Sequence, residues 1–223
     1  SCALTSSFFG ICLAQLHVDP RSESDRRREV RGNVRSQSVD AISRDRDRAA
    51  IELGFYLASW GMYRGSSFLL QYAYTIHRPI IDLIFEARFE KLWNTDFGSS
   101  DADRQFKPVL LELIDGISKA YRPFAHAIGS ASPTDTLITK VILGTLGSLP
   151  ACDRYFVKGF RTERNQNLKL NDRFIDGLLD FCQTYRHELR QQQVNIMEIG
   201  GIRYPIMKLV DMHFWQIGFD NSI

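Results

Sequence analysis

From residue 49 onward, apolar side chains recur every three or four positions, the spacing of helices that bury one face. We predict helices over residues 49–64, 79–93, 106–121, 132–146, 172–190 and 205–217, with a short one after Pro150. Little of the chain alternates with a period of two, although residues 199–204 could form a small β-hairpin. The pattern therefore predicts an all-α fold, a single bundle-like domain of about seven helices.

One predicted helix is apolar on nearly every side, which is typical of the centre of a fold. It follows the start signal Ser132-Pro-Thr-Asp135, in which Ser132 is the expected N-cap and Pro133 the first helical residue. Asn171 is the expected cap of the helix over 172–190. The central helix carries these large apolar side chains: Leu137, Ile138, Val141, Ile142 and Leu143.

The composition changes abruptly near residue 48. Residues 19–48 contain nine arginines and seven acids with almost no large apolar side chains. Such a segment buries too little surface to offset its ordering entropy, which predicts a poorly ordered linker. We therefore divide the chain into an N-terminal helix plus arginine-rich linker over 1–48 and a helical globular domain over 49–223. An arm that contacts nucleic acid is the alternative interpretation of the arginines.

The charge balance and hydropathy match a soluble globular protein. Lys and Arg number 28 and Asp and Glu 26, so the net charge of +2 argues against binding to nucleic acid by bulk charge alone and leaves a local basic patch open. Residues 1–18 are the only long uncharged stretch and are marginal for a membrane span, because polar residues interrupt their apolar ones. Four scattered cysteines do not form a disulfide framework. We expect a cytoplasmic protein with no membrane contact, and its oligomeric state is left open.

Several chemistries lack their motifs in this sequence. There is no dinucleotide fingerprint, no P-loop and no Gly-x-Ser-x-Gly elbow. The five histidines never lie three or four residues apart, and no Cys-x-x-Cys occurs. We predict no cofactor and no metal site, and each histidine is expected to have a surface or core role.

Three stretches of the sequence are distinctive: FYLASWGMYRGSSFLLQ (55–71), TLITKVILGTLGSLPACDRYF (136–156) and YPIMKLVDMHFWQ (204–216). They resemble a group of uncharacterised bacterial proteins of about this length. The resemblance covers residues 50–219. It implies a compact bacterial protein and no particular reaction.

The second stretch also resembles, more distantly, the core of helix-hairpin-helix DNA glycosylases. The order of Thr139-Lys140, Gly147, Pro150 and Asp153 matches that family, and the resemblance implies that Asp153 is a catalytic carboxylate. Arg154 and Lys158 would then contact phosphates. The glycine-rich hairpin of the family is replaced here by residues 130–135, and Asp153 could instead cap the next helix.

Two further groups of polar residues are candidate sites. Lys208 and Asp211 lie one turn apart and are expected to form a structural ion pair. The other group follows the first helix and could hold a phosphate or a carboxylate, or provide helix caps. Its members are Arg64, Ser66, Ser67 and Gln71.

These residues lead to three functional hypotheses. The first is a helical protein that binds nucleic acid or a protein partner through a basic and polar pocket. The second is a base-excision enzyme that uses Asp153. The third is an assembly module with an aromatic contact face, formed by Trp60, Tyr63, Phe68, Tyr72 and Tyr74.

Overall fold

A computed structural model of the chain describes residues 46–93, 95–129, 132–164, 169–201 and 203–222. Short 3₁₀ segments at Phe68–Gln71, Tyr74–His77, Ala87–Phe89 and Asp101–Phe106 connect the α-helices. The all-α prediction is confirmed. Within these ranges the helices are α1 (Arg46–Ser59), α2 (Arg78–Ile84), α3 (Glu90–Trp93), α4 (Lys107–Ala127), α5 (Asp135–Thr145), α6 (Arg154–Arg164), α7 (Asp172–Thr184), α8 (Arg186–Gly200) and α9 (Ile206–Asp220).

Helix α5 is the centre of the fold, because every residue from Leu137 to Thr145 is buried. Its N-cap differs from the sequence prediction. Thr134, rather than Ser132, accepts a hydrogen bond from the Leu137 N–H at 3.2 Å. The Ser-Pro pair precedes the cap, so the helix starts at Asp135, two residues after the expected Pro133.

The helices surround one hydrophobic core whose buried side chains run from Ala50 to Phe214. Helix α1 packs against α2 and α5, and α4 packs against α2, α5 and α7. Helices α6 and α9 cross most closely. A Cβ atom on Gly159 would lie 1.9 Å from the Phe214 carbonyl oxygen, and one on Gly218 would lie 1.8 Å from that of Tyr155. Glycine at both positions therefore brings the two backbones into contact.

Two helices predicted as continuous are broken. The helix over 79–93 ends at Ile84, and the chain folds back so that the Trp93 indole donates to the Ile84 carbonyl at 3.1 Å and stacks on Phe85. The helix over 172–190 is interrupted at Tyr185, although Asn171 caps its start as predicted. The apolar periodicity of the sequence does not indicate either break.

Other boundaries also differ from the prediction, and α1 ends at Ser59 rather than at residue 64. Helix α4 continues past Tyr121 through Pro123 to Ala127. No described residue of 199–204 is a strand: Ile199 and Gly200 end α8, and Gly201 (φ 67) caps it. The hairpin interpretation is therefore wrong for these residues.

The predictions for the N-terminal segment lie almost wholly outside the described residues. The exception is its last three residues, which start α1 rather than belong to a linker. There Arg46 pairs with Asp82 at 2.6 Å. No helix in the described ranges combines the length and the apolar character that crossing a membrane requires.

Candidate functional site

The polar residues predicted to cluster after α1 lie in the turn and 3₁₀ segment that follow this helix. Gly61 and Gly65 have left-handed backbone angles (φ 68 and 61), which turn the chain back. Ser67 accepts a hydrogen bond from the Leu69 N–H at 3.4 Å and so caps the 3₁₀ segment. The other members of the predicted set are exposed: Arg64, Ser66 and Gln71.

Arg64 is a cation without a counterion in the described part of the chain. Its guanidinium lies against Gly61, about 3 Å from where a Cβ atom there would be. It forms no ion pair or hydrogen bond with another described residue, yet its charge acts on Lys140 of α5. The turn that carries Arg64 follows Trp60, whose backbone carbonyl contacts Lys140.

Lys140 is the one charged side chain in the buried part of α5, and it is 5% exposed. Its Nζ donates to the backbone carbonyl of Trp60 at 3.1 Å. Carbonyls at a helix C-terminus lack partners within the helix and carry partial negative charge, so the end of α1 attracts this ammonium. The interaction accounts for one of the three N–H donors of Lys140.

A second lysine lies over the same tryptophan. The ammonium nitrogens of Lys140 and Lys208 are 5.2 and 4.6 Å from the centre of the Trp60 ring. Cation–π attraction at these distances holds positive charge against an aromatic face. Trp60 thereby links α5 and α9 to the end of α1.

Lys208 and Asp211 form an ion pair, with Nζ 2.9 Å from Oδ2. Asp211 is 4% exposed, and its Oδ1 accepts the Ala151 N–H at 2.9 Å. Burial raises the pKa of this carboxyl, whereas Lys208 and the Ala151 N–H lower it. The pair ties α9 to the loop between α5 and α6.

Asp153 occupies the N-cap position of α6. Its Oδ1 accepts the N–H groups of Tyr155 and Phe156, both at 3.0 Å. Its Oδ2 accepts no hydrogen bond from a described residue. The capping interpretation therefore accounts for one carboxylate oxygen, and a catalytic role for the other stays a prediction.

Trp60, Arg64, Lys140, Asp153, Lys208 and Asp211 together are called the Trp60 cluster below. Three cations and two carboxylates give it a formal charge of +1. Burial lowers the pKa of Lys140, the two other cations lower it further, and the two carboxylates raise it. No group of three His, Cys, Asp or Glu side chains in the described ranges could hold a metal ion.

The loop beside this cluster is buried throughout residues 146–152. Gly147 (φ 66) packs so closely that a Cβ there would lie 2.5 Å from the Pro205 ring. The Cys152 N–H donates to Thr139 Oγ1 at 2.9 Å, whereas the buried Ser148 hydroxyl has no hydrogen-bond partner among the described residues. Hydrogen bonds from the loop backbone to Thr139 of α5 and Asp211 of α9 fix the position of the loop, and therefore of Asp153 at its end.

Arg154 and Lys158 are exposed on α6, one turn apart. The Arg154 guanidinium lies 4.4 Å from the centre of the Tyr155 ring and donates to its hydroxyl. Lys158 donates to the Asn221 carbonyl and to the Ser222 hydroxyl, which follow α9. Both cations thus lie beside the α6–α9 crossing, and neither belongs to the Trp60 cluster.

A buried histidine lies elsewhere in the core. His77 is fully buried, with Nε2 2.6 Å from the Tyr63 hydroxyl and Nδ1 2.7 Å from that of Tyr121. A neutral imidazole satisfies both contacts, because one nitrogen donates and the other accepts. Burial lowers the pKa of His77 to about 4. This histidine has the core role that the sequence predicts.

The aromatic face proposed for assembly is largely turned inward. Phe68 belongs to the buried core, Tyr63 bonds His77, and the Tyr72 hydroxyl donates to the Phe124 carbonyl at 3.1 Å. Trp60 is partly buried between two lysines. The described structure gives this set of side chains internal contacts rather than a common exposed surface.

The sequence indicated the members of the Trp60 cluster as separate candidates but not their convergence. The sequence places Trp60 in an aromatic contact face. Nothing in the sequence indicates that its backbone carbonyl accepts a hydrogen bond from Lys140. A lysine inside an otherwise apolar helix is the one signal that marks the centre of the site. No family model, curated protein or solved structure matches the chain.

Proposed function

We propose that this protein binds nucleic acid through the Trp60 cluster, with a backbone phosphate held by Arg64, Lys140 and Lys208. The observation that carries the proposal is the buried ammonium of Lys140, which uses one of its three donors within the described structure. Burying a charge with unfilled hydrogen-bonding capacity is costly, and an anionic ligand offsets that cost.

The arrangement of the three cations suits a phosphate. Arg64 is exposed and forms no ion pair with a described residue, so its planar guanidinium can donate to two phosphate oxygens. Lys208 is partly exposed, and Lys140 lies deepest. A ligand that approaches past Arg64 therefore meets positive charge that is progressively less screened by water.

The carboxylates limit which anions are bound. Asp211 neutralises Lys208 at 2.9 Å, and Asp153 lies close enough to act on Lys140. With a formal charge of only +1, the cluster favours a phosphodiester over a highly charged free phosphate. This preference supports a nucleic-acid backbone as the ligand.

The test is binding of fluorescein-labelled single-stranded DNA, duplex DNA and RNA at low salt, followed by anisotropy. We expect Lys140→Met and Arg64→Gln each to weaken binding about ten-fold and to make the salt dependence shallower by roughly one unit. The matched control is Lys119→Met, which removes an exposed lysine paired with Asp115 on α4. Absence of binding by the wild type to all three ligands at low salt contradicts the proposal.

A base-excision activity at Asp153 is the second candidate. It is supported by the carboxylate oxygen of Asp153 that accepts no hydrogen bond from a described residue, together with the proximity of Lys140. Incubation with duplexes that contain damaged bases, followed by alkaline cleavage, tests it. Product formation that survives Asp153→Asn would exclude Asp153 as the catalytic carboxylate.

A further inference from the structure

Three aromatic side chains form a second cluster at the crossing of α6 and α9, called the Tyr155 cluster here. Trp215 and Phe219 stack with their ring centres 5.1 Å apart and their planes at 9°. The edge of Tyr155 meets both, at 5.2 and 5.5 Å. All three are partly exposed. They are not among the described side chains that pack against the hydrophobic core.

The Tyr155 cluster continues the stripe of α9 that carries the Trp60 cluster. Lys208, Trp215 and Phe219 are separated by seven and four residues, so they lie on one face of the helix. The stripe from Lys208 to Phe219 is about 16 Å long at 1.5 Å per residue. Tyr155 extends it onto α6, two residues after Asp153. Lys208 of the Trp60 cluster and the aromatic rings thus lie along the same face of α9.

Positive charge flanks the rings. The Arg154 guanidinium lies over Tyr155 at 4.4 Å, and Lys158 reaches the residues that follow Phe219. Three carboxylates lie on the same two helices: Asp211 pairs with Lys208, Glu163 bonds His213 at 2.8 Å, and the exposed Asp220 beside Phe219 accepts from the Gln216 amide at 2.7 Å. The exposed surface around the rings is therefore complementary to an anionic ligand with flat apolar groups.

We propose that the Tyr155 cluster is a base-stacking platform and that the ligand of this protein is single-stranded nucleic acid. Bases in a duplex stack on one another, so their faces are covered, whereas a single strand can place its bases on protein aromatic rings. Arg154 and Lys158 bind the phosphates between stacked bases. This inference rests on the proposed nucleic-acid function and specifies that the bound nucleic acid is single-stranded.

The test compares three labelled ligands of equal length: a single strand, a blunt duplex and a base-free deoxyribose-phosphate strand. We expect Trp215→Leu, which keeps apolar bulk and removes the ring, to weaken single-strand binding about ten-fold. The affinity of the Trp215→Leu variant for the duplex and for the base-free strand should equal that of the wild type. Trp215→Phe should restore most of the loss, because it restores a stacking surface.

The matched control is Tyr185→Ala, which truncates a 42% exposed aromatic at the α7–α8 junction and should alter no affinity. Equal loss of single-strand and duplex binding in Trp215→Leu, or no loss of either, overturns the proposal. Wild-type dimers in sedimentation velocity that Trp215→Leu abolishes would also overturn it, by making this surface a contact between protein chains.

The two proposals fail separately. If Lys140→Met weakens every ligand and Trp215→Leu none, the phosphate site stands and the stacking platform does not. If Trp215→Leu selectively lowers single-strand affinity and Lys140→Met has no effect, the platform stands and the Trp60 cluster is not the phosphate site.

Discussion

His77 shows how one buried residue can set the acid sensitivity of the whole protein. Its pKa is lowered to about 4 from the 6.5 of an unfolded chain, because burial disfavours the imidazolium. The unfolded state therefore binds more protons than the folded state between these two values. The free energy of unfolding is therefore not reduced by His77 above pH 6.5, and it falls as the pH is lowered from 6.5 toward 4.

We predict that the free energy of unfolding falls by about 3 kcal/mol between pH 6.5 and 4 because of His77. Urea denaturation at a series of pH values measures this slope. His77→Gln should be less stable at neutral pH and should flatten the slope. The exposed His187→Gln serves as the control and should retain the wild-type profile. A wild-type slope in His77→Gln would assign the acid sensitivity to other groups.

Substitutions of Asp153 can separate its role as a helix cap from a catalytic role. As an N-cap it accepts two backbone N–H groups, and asparagine can accept the same bonds. We predict that Asp153→Asn keeps the wild-type stability, whereas Asp153→Ala loses about 1 kcal/mol. Urea denaturation measures both.

The control for that measurement is Asp115→Ala, which removes an exposed carboxylate from the surface of α4. If Asp153→Asn is as unstable as Asp153→Ala, the negative charge rather than the cap stabilises α6. If only binding becomes tighter in Asp153→Asn, the carboxylate repels a phosphate nearby.

At the scale of elements, the crossing of α6 and α9 is the tightest contact between helices. A methyl group at Gly159 would meet the Phe214 carbonyl oxygen at 1.9 Å, and backbone cannot move aside as a flexible side chain can. We predict that Gly159→Ala lowers the free energy of unfolding by about 3 kcal/mol or more. Thermal and urea unfolding measure the loss.

Gly200 provides the matched control for that substitution. It lies in α8, and an added Cβ there meets no atom within 4 Å. Gly200→Ala should leave stability unchanged or raise it by up to about 1 kcal/mol, because alanine favours helix. Equal effects of the two substitutions would mean that α6 and α9 are separated more widely than the structure shows.

At the scale of the whole molecule, the described residues form a hydrophobic core of their own. Its buried side chains start at Ala50, and α1 begins at Arg46 with ion pairs to residues inside the domain. We predict that deletion of residues 1–45 changes the melting temperature by less than about 2 °C. Circular dichroism on heating measures it, and a fall of more than about 5 °C would show that the N-terminal segment stabilises the domain.

The pattern of apolar residues was sufficient for the fold class and for the place of α5. A helix that is apolar on all sides removes its side chains from water only in the protein interior, so the sequence of α5 alone predicts its burial. Asn171 as a cap is likewise a short-range property. By contrast, the breaks at Phe85 and Tyr185 leave no signal in the apolar periodicity; at the first of them the chain folds back and Trp93 stacks on Phe85.

The candidate site divides in the same way. The sequence by itself determined that Lys140 lies in an apolar helix, that Lys208 and Asp211 share a turn, and that Asp153 begins a helix after a proline. Only the tertiary structure decided that Lys140 and Lys208 meet at Trp60. Trp60 and Lys140 are 80 residues apart along the chain, and Lys140 and Lys208 are 68 residues apart. Contacts over such separations depend on how helices pack, and packing is set by the shapes of all the buried side chains together.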